Sequence, residues 1–104
     1  MKPSINQKKF NYITASPNYI KTTDITIVYR MCDNGCLGFI VPRFLGSACK
    51  RNRFKRRCRY AFQKITFKNN QKSIGVIVKT KSINVSYNQI NSVFASLYSE
   101  MIKN

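Results

Sequence analysis

The chain has 104 residues, a mass of 12.1 kDa, and 19 Lys and Arg against 3 Asp and Glu, for a formal charge of +16. That length holds a single core, and 43% hydrophobic with 12% aromatic residues is enough to fill it, which excludes a disordered basic tail. With no His, and with Asp24, Asp33 and Glu100 far apart in sequence, the chain lacks the base and the carboxylate pair of a self-contained hydrolase, and so one-sided a charge calls for a polyanion.

Residues 1–6 read as a flexible basic arm with no apolar stretch behind Met1, so not as a signal peptide. A short helix is predicted from Gln7 to Ala15, with Phe10 and Ile13 three residues apart on one face and Ser16-Pro17 stopping it. Residues 19–30 read as one strand, in which Ile25, Ile27 and Tyr29 alternate with Thr26, Val28 and Arg30. Asp33-Asn34-Gly35 is a turn signal, and Leu37, Phe39 and Val41 resume the alternation, so the two strands read as a hairpin that Pro42 ends. Gly46-Ser47 opens a helix to about Ile65. At about 100° per residue, Phe54, Ala61, Phe62 and Ile65 fall within about 60° of Cys58, a stripe that faces a core.

Asn69-Asn70 breaks the chain, and Ser73 to Thr80 reads as a buried strand carrying Ile74, Val76, Ile77 and Val78. Ser86 is a candidate N-cap for a last helix, with Tyr87, Ile90, Phe94, Leu97, Tyr98 and Met101 on one face. The order αββαβα predicts an α+β fold: one domain over residues 1–104, a small two-layer sandwich with helices packed on a mixed sheet. No run approaches the roughly 18 apolar residues of a membrane helix, and no basic stretch carries the broad apolar face of a membrane-surface helix. Lys, Asn and Ile supply 35 of 104 residues, the bias of an AT-rich genome, which discounts surface Lys and Asn as signals.

Between Lys50 and Arg59, seven of ten positions are cationic. Like charges at helical spacing repel by a few tenths of a kcal/mol per pair, so an external anion is expected to offset them. Arg53, Arg56, Arg57 and Lys64 lie about 100–160° from the apolar stripe, whereas Arg51 and Lys55 lie within about 60° of it. Two surfaces follow: an outward one for a large polyanion and one beside the core for a second anionic ligand. Aromatic residues spread between the cations favour nucleic acid over a membrane, since bases stack on rings. A nuclear localisation signal would sit on an exposed tail rather than on a helix that carries core residues. A DNA-reading helix is disfavoured by the apolar stripe along its length and by the lack of a dimerisation element.

Cys32 and Cys36 flank the predicted turn, but a structural zinc site wants two such pairs. Cys49 and Cys58, nine residues apart, fall about half a turn from each other on the helix, Cys58 toward the core and Cys49 toward solvent. All four read as reduced thiols, with no metal assigned to the protein.

The segment from Gly38 to Phe62 carries Gly46 and Ala48, then Arg51-Asn52-Arg53, Lys55-Arg56, Arg59 and Ala61-Phe62 without a gap. This pattern resembles the protein component of bacterial ribonuclease P. Tyr87 to Met101 is similar to that family's closing helix, and Phe10 to the aromatic residue of its first helix. The resemblance spans roughly residues 6–102, with Pro42, Phe44 and Thr14 as departures.

It implies a fold with a left-handed crossover, and a non-catalytic protein subunit of a ribonucleoprotein endonuclease. The expected partners are the ribonuclease P RNA and precursor tRNA, with no DNA and no membrane, in a one-to-one complex. The RNA carries the chemistry with its own magnesium, and the protein has no catalytic residue. Arg43, Lys50, Arg53, Arg56, Arg57, Arg59 and Lys64 are expected on the RNA subunit. Phe10, Tyr29 and Phe39 are expected to wall a cleft for the 5′ leader of the substrate, with Arg51, Asn52 and Lys55 at its rim. The implied compartment is the bacterial cytoplasm, or an organelle matrix or stroma if an AT-rich organellar genome encodes the chain. A structural ribosomal RNA-binding protein is the alternative, and the Arg-Asn-Arg-x-Lys-Arg pattern after Gly-x-Ala speaks against it.

Overall fold

A computed structural model describes residues 7–32, 35–68 and 74–103. Helix α1 (Gln7–Ala15) is followed by strands β1 (Asn18–Lys21), β2 (Ile25–Met31) and β3 (Cys36–Ile40), a 3-10 turn at Arg43–Leu45, helix α2 (Ala48–Lys68), strand β4 (Ile74–Thr80) and helix α3 (Tyr87–Lys103). The predicted arm at residues 1–6 and the turn signals Asp33-Asn34 and Asn69-Asn70 lie outside the described residues.

The strand expected over residues 19–30 is two strands. The Thr22 hydroxyl donates to the Ile25 carbonyl (2.8 Å) and accepts from the Ile25 N–H (3.1 Å), which closes a tight turn without Gly, Pro or Asn. The β1–β2 hairpin pairs Asn18 with Tyr29 and Lys21 with Thr26. The expected hairpin between β2 and β3 does not form. The sheet order is β1-β2-β4-β3, with β4 antiparallel to β2 and parallel to β3. The physical reason is the composition of β4, which is buried at six of its seven positions. A strand apolar on both faces belongs in the middle of a sheet, and it separates β2 from β3.

The register gives each sheet face two rows that cross all four strands. Asn18–Tyr29–Val76–Leu37 and Ile20–Ile27–Val78–Phe39 face α2 and α3, while Tyr19–Val28–Ile77–Gly38 and Lys21–Thr26–Lys79–Ile40 face the other way. The α2 stripe of Phe54, Cys58, Ala61, Phe62 and Ile65 is buried as expected, against Ile90, Val93, Phe94, Leu97 and Met101 of α3. The Phe62 and Phe94 rings meet edge to face at 6.4 Å. Tyr98 is only half-buried, and Tyr87, expected on the same apolar face, is exposed.

Helix α1 covers part of the opposite sheet face, where Ile13 packs with Val28, Cys36 and Ile77, and Phe10 lies beside them. Its approach is close enough that a Cβ on Gly75 would stand 2.7 Å from Ile13 Cδ1 and 3.3 Å from Cys36 Sγ. Both long helices start at side-chain caps. The Lys50 N–H donates to Ser47 Oγ at 3.2 Å. Ser86 and Gln89 form a reciprocal capping box, with Ser86 N–H to Gln89 Oε1 at 2.8 Å and Gln89 N–H to Ser86 Oγ at 3.1 Å.

Candidate nucleic-acid interface

Burial of the α2 stripe turns the rest of that helix into two cationic flanks. The flank toward α3 carries Arg53, Arg56, Arg57 and Lys64, all exposed. Arg53, Arg56 and Arg57 line a groove of about 520 Å³ with Tyr60 and with Tyr87 from the start of α3. A second hollow of about 270 Å³ continues it past Lys50 to Ile83, Asn84 and Val85. The Lys64 ammonium stands 5.0 Å from the Tyr60 ring centre and 5.9 Å from that of Tyr87.

The flank toward the edge strand β3 carries Arg51, Lys55 and Arg59, each half-buried. Arg51 Nε donates to the Gly46 carbonyl at 3.2 Å, so its guanidinium is held against the turn before α2. The Arg59 guanidinium lies 5.5 Å from the Phe39 ring centre. Arg59 was expected with the outward cations, and the structure places it with Arg51 and Lys55 instead. Its wheel position borders the apolar stripe, and on that side Phe39 of β3 reaches it. Asn52 is exposed on α2, and Arg43 is exposed on the 3-10 turn beside Phe44, which is 85% exposed.

The three aromatic residues expected to wall one cleft do not come together. Tyr29 and Phe39 belong to the sheet face that α2 and α3 cover, whereas Phe10 packs on the opposite face. The reason is strand alternation: α1 docks on Val28, and its neighbour Tyr29 therefore points away. Tyr29 is 8% exposed and serves the core. Burial, then the nearby Glu100 carboxylate, pushes its hydroxyl above the ordinary tyrosine range.

The face beside α1 holds residues that the sequence did not single out. Tyr19 is 55% and Ile40 38% exposed, and Lys21 and Lys79 stand in the same cross-strand row as Ile40. The Lys21 ammonium is 5.6 Å from the Tyr19 ring centre. Along the edge of α1, the Arg30 guanidinium stacks 3.9 Å from the Tyr12 ring centre and donates to the Tyr12 carbonyl at 2.9 Å. The Tyr12 hydroxyl donates in turn to the Met31 carbonyl at 3.2 Å. Exposed rings beside fixed cations suit an unpaired nucleic-acid strand, whose bases stack while its phosphates are neutralised. Lys79 was visible as the cation in an otherwise apolar strand. Its alignment with Lys21 was not visible, because it depends on the strand order.

Thiol placement follows the wheel, with Cys58 buried and Cys49 exposed. Burial pushes the Cys58 thiol up to about 12. Cys36 is buried beside Gly75, and desolvation raises its thiol as well. Among the described residues, no three His, Cys, Asp or Glu side chains converge as metal ligands, and no helix is long and apolar enough to cross a membrane.

A family model described as Ribonuclease P matches residues 5–101. Among solved structures, the RNase P protein of Staphylococcus aureus superimposes with a TM-score of 0.74 at 19% identity, over 97% of this chain and 95% of that one. The RNase P protein of Thermotoga maritima gives a TM-score of 0.67 at 19% identity, over 95% of this chain and 97% of that one. No curated protein sequence matches the chain significantly.

Proposed function

The chain belongs to the ribonuclease P protein family, and from that premise we propose that the α3-facing flank of α2 docks on the RNA subunit while the sheet face beside α1 holds the 5′ leader of precursor tRNA. Its role is that of a protein subunit in tRNA processing. The observation that carries the docking assignment is the exposure of Arg53, Arg56, Arg57 and Lys64 on one flank of a helix whose opposite stripe is core. Each guanidinium offers a planar fork of donors that matches phosphate oxygens. Arg43 and Lys50 extend this cationic surface at the start of α2; in this reading Arg51 and Lys55, expected at the rim of the leader cleft, join Arg59 on its β3 edge, with the neutral Asn52 beside them.

The leader is a single strand, and it suits the exposed Tyr19 ring with Lys21 and Lys79 for the reason given above, while Phe10 of α1, half-buried beside that face, borders it. In this reading the earlier cleft residues divide. Phe10 stays with the leader, and Tyr29 and Phe39 belong to the core side. The chemistry is assigned to the RNA and its magnesium ions, because the described residues bring together no carboxylate cluster to hold them. The protein positions the leader and screens phosphate repulsion, which lets the RNA's ions bind at lower concentration. A one-to-one complex in a bacterial cytoplasm fits this role, and the two structural matches are to proteins of bacteria.

The test is single-turnover cleavage of precursor tRNA by the RNA alone and with the protein, over a magnesium series. The protein's advantage is expected to be large at low magnesium and to shrink as magnesium rises. Cleavage by the purified protein without RNA would contradict the reading, as would an advantage that does not change with magnesium.

A further inference from the structure

Two large rings remain exposed on a flank that is otherwise cationic: Tyr60 at 55% and Tyr87 at 42%. A single exposed tyrosine needs no explanation. Here the two come from different helices and converge on one groove, whose wall Arg53, Arg56 and Arg57 complete. Tyr60 follows Arg56 and Arg57 at helical spacings of four and three, so all three rise from the same side of α2. Tyr87 is the first residue of α3, and the Ser86–Gln89 capping box fixes the backbone from which it projects. Lys64 reaches both rings at once.

We propose that this groove binds an unstacked nucleotide of the RNA subunit, its base against the ring faces of Tyr60 and Tyr87 and its flanking phosphates on Arg53, Arg56 and Arg57. The proposal rests on the docking assignment above and adds what the arginines alone do not specify. A regular RNA duplex presents phosphates but keeps its bases stacked, so it would satisfy the arginines and leave both rings bare. A nucleotide splayed from a loop or bulge offers an open π-face to an aromatic ring. An acidic peptide would use the cations and leave the rings uncovered. With none of the groove's lining residues acidic, a phosphate entering it meets no repulsion from the wall.

The experiment is equilibrium binding of ribonuclease P RNA over a salt series, with Tyr60→Leu, Tyr87→Leu, Tyr60→Phe and Arg56→Ala. Chemical probing of unpaired bases is run on the same complexes. Stacking is worth about 1–3 kcal/mol per base, so each leucine variant is expected to weaken binding by about 5- to 150-fold with the salt slope unchanged. Tyr60→Phe keeps a ring and is expected to bind like the parent. A small set of unpaired nucleotides protected by the parent is expected to become reactive with the leucine variants. Leucine variants that bind and protect like the parent, alongside a weakened Arg56→Ala, would overturn the nucleotide site and leave the docking assignment standing. If Arg56→Ala also kept the parent's affinity and slope, the docking assignment itself would fall.

Discussion

The Arg59 guanidinium lies 5.5 Å from the centre of the Phe39 ring, at the seam between α2 and the edge strand β3. That contact separates Arg59, which is half-buried, from Arg53, Arg56 and Arg57, which share its helix and its charge but are exposed. It gives one short basic segment two physical roles.

Arg59→Ala is therefore expected to lower folding stability by about 0.5–1 kcal/mol, the value of a partly exposed cation–π contact. Arg53→Ala, Arg56→Ala and Arg57→Ala are expected to leave stability unchanged or raise it slightly, since each relieves like-charge repulsion. Urea unfolding of the four variants at fixed ionic strength checks this. Equal destabilisation by all four would show that the Phe39 contact is not special.

Gly75 allows α1 to dock. Its missing Cβ leaves room for Ile13, which is fully buried and has little freedom to retreat. Gly75→Ala is expected to cost about 1–3 kcal/mol, as overpacking does. Hydrogen exchange on that variant is expected to show α1 amides opening more readily while the α2–α3 side keeps its protection.

The thiols report the packing of α2 directly. Cys49 is expected to react at once with a thiol reagent in the native protein, and Cys58 only on unfolding. The pH dependence has a definite sign. The unfolded Cys58 thiol titrates near its ordinary value of 9.0, and the folded one near 12. Its folded pKa is the higher one, so the contribution to stability is complete below pH 9.0 and is lost as pH rises toward about 12. Urea midpoints for the parent and Cys58→Ala measured across that alkaline range check it. The parent's extra loss of stability is expected to vanish in the variant.

The leader assignment separates two tyrosines. Tyr19→Ala is expected to weaken binding of precursor tRNA with a leader by about 5- to 150-fold while sparing mature tRNA. Tyr29→Phe keeps the buried ring and is expected to leave both unchanged. Equal loss for precursor and mature tRNA with Tyr19→Ala would move the leader off this face.

Elements whose signal is local were legible in the sequence. The α2 stripe, the Ser86 cap and the apolar β4 each rest on residues within a turn or two of one another. What depended on strand order was not. Asp33-Asn34-Gly35 suggested a hairpin, but β4, distant in sequence, inserts between β2 and β3 because it is apolar on both faces. That insertion fixes which face Tyr29 shares with Phe39, and the docking of α1 on Val28 puts Phe10 on the other. That Phe10, Tyr29 and Phe39 do not share one cleft is therefore something no local pattern carries. The same holds for the Lys21–Thr26–Lys79–Ile40 row, which draws on all four strands. The convergence of Tyr60 and Tyr87 on one groove is not legible in the sequence for a different reason. Tyr87 fits the apolar period of α3, and only its position at the helix start leaves it in solvent.

The most direct measurement of the central claim is the salt dependence of RNA-subunit binding for Arg53→Ala, Arg56→Ala and Arg57→Ala. Each phosphate contact contributes about 0.7–0.9 to the slope of log affinity against log salt. Each variant is expected to lose about that much slope and to bind more weakly at low salt. Slopes and affinities unchanged in all three would contradict docking through this flank of α2.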